Sequence, residues 1–466
     1  MYVNIYNVSK YYVGKNNVGD VQMRKKIISL GLIMCLGLSC ICGCSSSSTK
    51  QEERTEGRVV NIYCWDTSFK DLYESYASDL AEKHNVKVNF IVITNDNQAY
   101  QTNLDEALAE TETAIDDDKV DIFLIEADYA SKYVKSEYAL DVVADVGLTE
   151  EQMAGMYQYT KDIVTVDGSC KAVSMQATPG LFAYRRSIAK QVIGTDEPDK
   201  VQEMVKDWES FDKLAKKMSE AGYQMLSGYD DSFRTFSNNM TQPWVTDNKI
   251  NLDESLKKWI TQCKEYADKN YSNKSTLWSP RWSEDQGPEG KVFGFFYSTW
   301  GINFTLKGNA LADASKPEEV GNGNYGDYAV CEGPQAYYWG GTWICAAKGS
   351  DNIPFTKDLM ERFTCDKETM KRITLETQDF TNNMEAMEEI ANSDYKSDFL
   401  GGQNHVALFV EAAKKIDMSK ISDYDSGLNE SLQKAMHEYF DGNVTYEEAL
   451  EHFYKLALEK YPNLTR

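Results

Sequence analysis

The chain has 466 residues, of which 42% are apolar and 12% aromatic, as is typical of a folded protein and not of a disordered one. This length favours two domains over one compact core. The net charge of -24 excludes the basic surface that phosphate contacts require, so nucleic acid is not an expected partner, and it weakly favours neutral or cationic ligands.

The first element in chain order is an apolar run at residues 27–38, directly after the basic residues "MRKK". The run is too short to cross a bilayer, which takes about 20 apolar residues, and it has the proportions of a signal peptide. Met23 is therefore an alternative start to Met1. A short N-terminal anchor helix is the alternative interpretation of the same run.

Four cysteines lie close together at the end of this run, in "CLGLSCICGC". Only Cys44 has an aliphatic residue, Ile41, three positions upstream and a small residue, Gly43, directly before it. This pattern resembles a bacterial lipobox, whose cysteine is lipidated, whereas no paired C-x2-C zinc or disulfide spacing is present. We therefore expect residues 1–43 to be an N-terminal extension and lipoprotein signal peptide, Cys44 to be the membrane anchor, and residues 44–57 to be a flexible tether.

Strands and helices alternate from residue 58 onward. Apolar β-rich runs predict the strands, and the runs between them have helical periodicity. The predicted strands are at residues 58–66, 86–93 and 120–126, and the helices between them at residues 68–85 and 99–110. This order indicates an α/β fold with a parallel sheet, in which ligands bind beyond the carboxyl ends of the strands.

Polar and aromatic residues follow two of these strands: Trp65 and Asp66 after the first, and Glu126 and Asp128 after the third. Carboxylates at strand ends have three interpretations, as the acid and base of a glycosidase, as acceptors for sugar hydroxyls, or as solvated and helix-capping groups. The four histidines form no H-E-x-x-H motif or similar set that would support an enzyme.

Three extended segments farther along the chain are interrupted by glycine, at residues 170–189, 291–304 and 336–349. A Pro-Gly or Gly-Gly break within an extended segment indicates a turn or a crossing, so these segments predict three crossings between two lobes. Amphipathic helices account for most of the remainder, and Trp208 and Trp259 lie on their apolar faces as core residues.

The other tryptophans lie outside helical stripes, beside glycine, proline and polar residues. They are Trp65, Trp244, Trp278, Trp282, Trp300, Trp339 and Trp343. A group of aromatic rings in loops suits a concave site that stacks on the apolar face of a sugar, whose hydroxyls then need carboxylate, amide or guanidinium partners. Each ring taken alone is equally well explained by packing.

Six dispersed cysteines follow Cys44, and we expect them to be free and mostly buried thiols.

Five segments resemble, in order and spacing, the extracellular solute-binding lipoproteins (family 1) of carbohydrate ABC importers, the family that includes maltose-binding protein: "VNIYCWD", "VDIFLIEADYASKYVKSEYALDV", "YTKDIVTVDGSCKAVSMQATPGLFAYRRSIA", "FFYSTWG" and "YAVCEGPQAYYWGGTW". The resemblance implies a two-lobed periplasmic-binding-protein-like α/β fold, each lobe a mainly parallel sheet flanked by helices, with a three-segment hinge. Lobe I would comprise residues 58–180 and 297–344, and lobe II residues 181–296 and 345–466.

The resemblance also implies ligand-binding positions in this sequence. They are Trp65, Asp66, Glu126 and Asp128 in the first lobe; Gln176, Thr178, Trp300, Trp339 and Trp343 at or near crossings; and Tyr229, Asp230, Arg234, Trp244 and Asn383 in the second lobe. We expect a non-catalytic monomer without metal or cofactor, lipid-anchored outside the cytoplasm, that delivers a small carbohydrate to ABC permease subunits. The alternatives are a surface-anchored carbohydrate-active enzyme and a non-catalytic sensor or adhesin.

Overall fold

The computed structural model describes residues 58–95 and 98–466, so the predicted signal peptide, Cys44 and the tether lie outside the described residues. The strands are β1 (Val59–Cys64), β2 (Lys87–Val92), β3 (Ile122–Glu126), β4 (Thr165–Val166), β5 (Ser169–Cys170), β6 (Val173–Ser174), β7 (Gly180–Arg185), β8 (Leu226–Gly228), β9 (Val245–Thr246), β10 (Lys249–Ile250), β11 (Ser272–Ser275), β12 (Gly294–Ser298), β13 (Tyr328–Cys331) and β14 (Thr342–Ala346).

The helices are α1 (Ser68–Tyr76), α2 (Asp79–His84), α3 (Ala99–Glu110), α4 (Ala130–Val134), α5 (Glu150–Met153), α6 (Gln158–Asp162), α7 (Arg186–Ile193), α8 (Pro198–Val205), α9 (Trp208–Glu220), α10 (Phe233–Ser237), α11 (Glu254–Asp268), α12 (Pro280–Gln286), α13 (Thr299–Gly301), α14 (Lys307–Ala310), α15 (Ile353–Arg362), α16 (Lys367–Thr377), α17 (Met384–Ala391), α18 (His405–Ala413), α19 (Asp425–Phe440) and α20 (Tyr446–Lys460). A π-helical turn at Ile302–Leu306 joins α13 to α14. None of the helices in the described ranges combines the length and the apolar composition that a bilayer span requires.

The first lobe is built on a five-stranded sheet with the order β2-β1-β3-β14-β6. Strand β1 pairs in parallel with β2 and β3, whereas β14 runs antiparallel to both β3 and β6. The first four residues of β3, in the sequence IFLIE, are buried. This is the pattern of a central strand that is covered on both faces, as its continuous apolar run predicts.

The second lobe is built on β7, which pairs antiparallel with β12 on one side and with β13 on the other. A parallel pair of β8 and β11 lies next to β12. The predicted two-lobed α/β fold is confirmed, and in detail this central sheet is antiparallel where a mainly parallel one was expected. The direction of β12 and β13 depends on where the long intervening segments return to the sheet, which local sequence does not determine.

The chain first crosses between the lobes at residues 175–179, because β6 lies in the first sheet and β7 in the second. It returns between β13 and β14, within the segment expected at residues 336–349. The crossing expected at residues 291–304 is wrong, because β12 within it pairs with β7 along its whole length. A third segment lies against the first crossing, where the backbone of Ala177 bonds to Phe380 and that of Asn382 to Met175.

Strand pairing also divides the second half of the chain differently from the expected lobe boundaries. Strand β14 belongs to the first sheet, α15 packs on it, and α16 packs on α1 through a hydrogen bond from Tyr76 to Glu376. We therefore assign β14, α15 and α16 to the first lobe, and β12, β13, α19 and α20 to the second. Glycine-punctuated apolar strands look alike in sequence whichever sheet they join, because only their pairing hydrogen bonds distinguish them.

Glycine is required where the chain enters the second lobe. A Cβ atom at Gly180 would lie 2.0 Å from the ring of Tyr337, so the start of β7 can pass beneath this ring only without a side chain. On the return segment Gly341 has φ of 117°, a backbone conformation that other residues rarely adopt. The Pro-Gly and Gly-Gly breaks in the sequence therefore correspond to real constraints at the crossings.

The predicted helical core faces are confirmed. The side chain of Asp207 caps α9, whose Phe211, Leu214, Ala215 and Met218 are buried. In α11, Trp259 is fully buried and its Nε1 donates to the carbonyl of Tyr229. Each of the six cysteines that the structure describes is a free thiol, and four of them are buried.

Candidate ligand-binding site

The first lobe contributes the residues that follow β1 and β3. Trp65 is half-buried, and its ring meets those of Tyr100 and Tyr129 edge-on at centroid distances of 5.7 and 6.3 Å. Asp66 is exposed and accepts a hydrogen bond from the backbone of Ser68 at the start of α1. Trp65 is thus held in place by aromatic neighbours, while Asp66 shapes the turn into α1.

An ion pair joins the two lobes across the cleft. Asp128 lies in the 3-10 turn that follows β3, and Arg234 lies on α10 of the second lobe, with 3.1 Å between Oδ2 and Nη2. The side chains are 46% and 25% exposed, so the pair contributes about 1 kcal/mol or less to stability. Nearby, Ser131 and Lys135 contact Asp423 of the second lobe. The two lips of the cleft are therefore in polar contact.

Glu126 lies directly behind this ion pair, at the end of β3. Its Oε2 accepts a hydrogen bond of 2.9 Å from the backbone of Asp128. Burial and the neighbouring Asp128 carboxylate raise the pKa of Glu126 above its usual range, although Arg234 opposes them. The neutral carboxyl that this environment favours can donate as well as accept a hydrogen bond.

An aromatic cluster, which we define as Trp278, Trp300, Phe304 and Trp339, lies on the second lobe and the return segment beside Arg234. The Arg234 guanidinium is 5.6 Å from the ring centroid of Trp339, and Trp300 Nε1 donates to the Trp339 carbonyl over 2.9 Å. The Trp278 ring is nearly parallel to that of Trp300, with 6.2 Å between centroids. Exposure rises from 8% at Trp339 to 45% at Trp278 and 58% at Phe304.

The crossing segments form the part of the site between the lobes. Gln176 donates to the carboxylate of Asp379, whose pKa is raised by burial. Thr178 is buried; its hydroxyl donates to the Gly340 carbonyl, and its own carbonyl accepts from the backbone of Trp339. Thr178 therefore fixes the position of Trp339, and Gln176 ties the first crossing to the segment that contains Asp379 and Phe380.

Comparison with known proteins identifies the family of this chain. The sequence model of a family described as bacterial extracellular solute-binding protein matches residues 75–400, which is more than half of the chain. The chain belongs to the bacterial extracellular solute-binding proteins. Members of this family are extracellular by description, which places this solute-binding protein outside the cytoplasm. None of the curated proteins matches the sequence.

Solved structures share the fold of this solute-binding protein at low sequence identity. A crystal structure of an extracellular solute-binding protein of family 1 has 18% identity and a TM-score of 0.71, covering 86% of this chain and 99% of its own. An ABC transporter associated binding protein from B. animalis subsp. lactis, in complex with β-1,6-galactobiose, has 19% identity and a TM-score of 0.64, with coverage of 88% and 99%. A Staphylococcus aureus solute-binding protein in complex with maltose has 15% identity and a TM-score of 0.59, with coverage of 87% and 98%.

Four residues that the resemblance implied as ligand contacts have other roles in this solute-binding protein. Tyr229, Trp244 and Trp343 are at most 3% exposed, and their polar atoms donate to Asp441, Asn429 and the Thr160 carbonyl, respectively. Asn383 caps α17 by accepting from the backbone of Ala386. Their polar groups are bonded within the protein, so we leave these four residues out of the proposed site. Asp66, which accepts from the backbone of Ser68 in the turn into α1, is left out as well.

Asp230 lies beneath the aromatic cluster and links it to α19. Its Oδ1 is 2.8 Å from Nε2 of His437, and its Oδ2 accepts from the backbone of Leu277, next to Trp278. Burial alone would lower the pKa of His437, but its hydrogen bond and attraction to Asp230 raise that pKa overall. Asp230 therefore supports the loop that carries Trp278.

Sequence reasoning included Trp278 in the set of loop tryptophans but did not select it as a site residue, and it missed Phe304. For Trp278 the position in "LWSP", off any helical stripe, was the available signal. Phe304 lies within a helical turn, where the sequence pattern gave no sign of its exposure. In the described part of the chain, no group of histidine, cysteine, aspartate and glutamate side chains is arranged to hold a metal ion.

Proposed function

We propose that this solute-binding protein captures a sugar or oligosaccharide between its two lobes and delivers it to the permease of an ABC importer. The observation that carries the proposal is the exposed aromatic cluster lying next to a polar group drawn from both lobes, Glu126, Asp128 and Arg234. The proposed ligand contacts are these three residues, Trp65 and the aromatic cluster, with Gln176, Thr178 and Asp230 in supporting positions.

A sugar suits this combination because it has two kinds of surface. The C–H face of a pyranose ring stacks on an indole, and the hydroxyls at its edge need donors and acceptors. Arg234 donates only, Asp128 accepts, and a neutral Glu126 does both. The β-1,6-galactobiose and maltose found with similar structures are ligands of this chemistry, and they support the proposal by fold alone.

Ligand binding would stabilise the form in which the lobes are closed. A ligand that contacts Asp128 on one lobe and Trp300 on the other binds the closed form better than the open form, and this difference in affinity shifts the equilibrium. The ligand is released without chemical change, so the protein acts as a non-catalytic carrier. We propose that it does so as a monomer. A permease would recognise the closed form.

The test is a titration of the protein with neutral mono- and oligosaccharides, followed by tryptophan fluorescence and calorimetry. At least one sugar is expected to give a saturable change in fluorescence. At 100 times its dissociation constant it should stabilise the folded protein by about 2.7 kcal/mol. If the protein responds to peptides or polyamines but to no glycan, the carbohydrate assignment is overturned. Release of a hydrolysis product from a bound glycan would favour the enzyme alternative.

We further propose that Cys44 carries the lipid that anchors the protein, with residues 44–57 as the tether. The support is the sequence around Cys44, since two acyl chains hold a protein stably at a membrane without a spanning helix. In detergent phase separation, the wild type is expected in the detergent phase and Cys44→Ser in the aqueous phase. Mass spectrometry that finds an unmodified N-terminus upstream of Cys44 would contradict this assignment.

A further inference from the structure

Trp278 combines two features that are rarely found together. Its side chain is 45% exposed, and its φ is 65°, in the left-handed region. A bulky residue in this region is under backbone strain, which persists only where the surrounding structure holds it. A glycine at this position would relieve the strain, so the backbone conformation does not explain the presence of an exposed indole.

The loop around Trp278 is fixed on both sides. Before it, the backbone of Leu277 donates to Asp230, which His437 holds from α19. After it, Ser279 caps α12, and the fully buried Trp282 donates through Nε1 to Asp231. The exposure of the indole is therefore imposed by a well-anchored loop.

Packing accounts for only part of this ring, since Trp278 lies 5.3 Å from Trp282 between ring centroids and yet 45% of the residue remains exposed. Trp282, four residues later, is 1% exposed, whereas Trp278 and Phe304 both face solvent beside the half-buried Trp300. Trp278 and Phe304 each adjoin Trp300, and aromatic rings grouped in this way form an apolar patch of the kind that marks binding sites on a protein surface. The patch continues the site already described instead of forming a separate one.

The cluster presents more than one indole to a ligand. The Arg234 guanidinium lies over Trp339, 5.6 Å from its ring centroid, while the Trp278 and Trp300 rings are nearly parallel with their centroids 6.2 Å apart. A first sugar ring that bonds to Arg234 and stacks on Trp300 would leave the outer face of the Trp278 indole to a second sugar ring.

We propose that Trp278, which like Phe304 lies next to Trp300, is the stacking site for a second sugar ring, so that the ligand class is an oligosaccharide of at least two rings. The inference rests on the proposed function. Trp278 then determines ligand length, whereas Trp300 and Arg234 hold the first ring.

The experiment compares sugars of increasing length on the full chain by calorimetry. The probes form two series. One series is glucose, maltose and maltotriose, and the other is galactose and β-1,6-galactobiose. In the series that binds, the disaccharide is expected to bind the wild type at least tenfold more tightly than the monosaccharide. Trp278→Ala should weaken disaccharide binding five- to tenfold and change monosaccharide binding less than twofold. Trp278→Phe should retain most of the difference in affinity between the disaccharide and the monosaccharide.

Two further variants guard against misfolding as the cause. Trp278→Gly fits the left-handed backbone without strain and should lose the same binding as Trp278→Ala while keeping the wild-type melting temperature or exceeding it. Phe304→Ala should give a smaller loss, confined to the longer sugars. If Trp278→Ala loses the same affinity for monosaccharide and disaccharide, or loses none, the proposed role of Trp278 is overturned while sugar capture stands. Wild-type protein that binds none of the five sugars overturns the inference, whereas the proposed function is overturned only if no glycan of the wider titration binds.

Discussion

Replacing Trp300 with alanine is expected to weaken binding of the captured sugar ten- to a hundredfold, which corresponds to about 1.4–2.8 kcal/mol. The half-buried indole has a ring contact with each of the other three members of the aromatic cluster, Trp278, Phe304 and Trp339. The substitution removes a stacking face and also leaves the carbonyl of Trp339 without its donor. Calorimetry with the sugar identified in the titration measures the loss, and it should affect short and long sugars alike.

Two variants separate stacking from general damage. Trp300→Phe keeps an aromatic face but lacks the indole N–H, so it should retain part of the affinity. Trp244→Phe changes an indole that is buried against Phe453 outside the cluster, and its affinity should equal that of the wild type. Wild-type affinity in Trp300→Ala, in a protein with an unchanged melting temperature, would remove the aromatic cluster from the site.

For the first lobe, the sequence could predict which residues lie together because a general rule applies there. Parallel strands end at the same edge of a sheet, so residues directly after β1 and β3 had to lie near one another. Trp65, Glu126 and Asp128 all follow these two strands. Strand order and strand ends could both be read from short apolar runs, without knowledge of any distant contact.

The second lobe's side could not be predicted in the same way. Arg234 meets Asp128 across 106 residues of sequence, and Trp278 meets Trp300 through a loop whose course is fixed by Asp230. Such contacts depend on how the lobes pack, and no local pattern specifies them. The same limit explains why β13 was expected in the first lobe and α15 and α16 in the second, the reverse of where the strand pairing and helix packing place them.

Trp244 and Trp343 show why a tryptophan in a loop-like sequence is ambiguous. Both stand beside proline, glycine or threonine, as Trp300 does, yet both are buried and bonded within the protein. Asn383 is different, because its role had a local signal. An asparagine directly before an amphipathic helix is a preferred N-cap, and "TNNMEAMEEIA" contains this pattern.

Trp244→Ala is expected to lower the free energy of unfolding by about 3–5 kcal/mol and to leave sugar affinity unchanged. The side chain is fully buried between elements of the second lobe, and its ring lies 5.7 Å from that of Phe453. Alanine would leave a cavity and deprive the Asn429 amide oxygen of the indole donor. Urea unfolding monitored by circular dichroism measures the stability, and calorimetry below the unfolding transition measures the affinity.

This prediction is the reverse of the one for Trp300, so the pair of variants tests the division between packing and binding residues. Trp244→Phe fills most of the same space and should lower the free energy of unfolding by less than the alanine variant does. A loss of sugar affinity in Trp244→Ala, with its stability intact, would return Trp244 to the ligand site that the resemblance first implied. A loss of stability alone establishes that the indole belongs to the core, because a residue that contacts only ligand has no effect on the unliganded protein's unfolding.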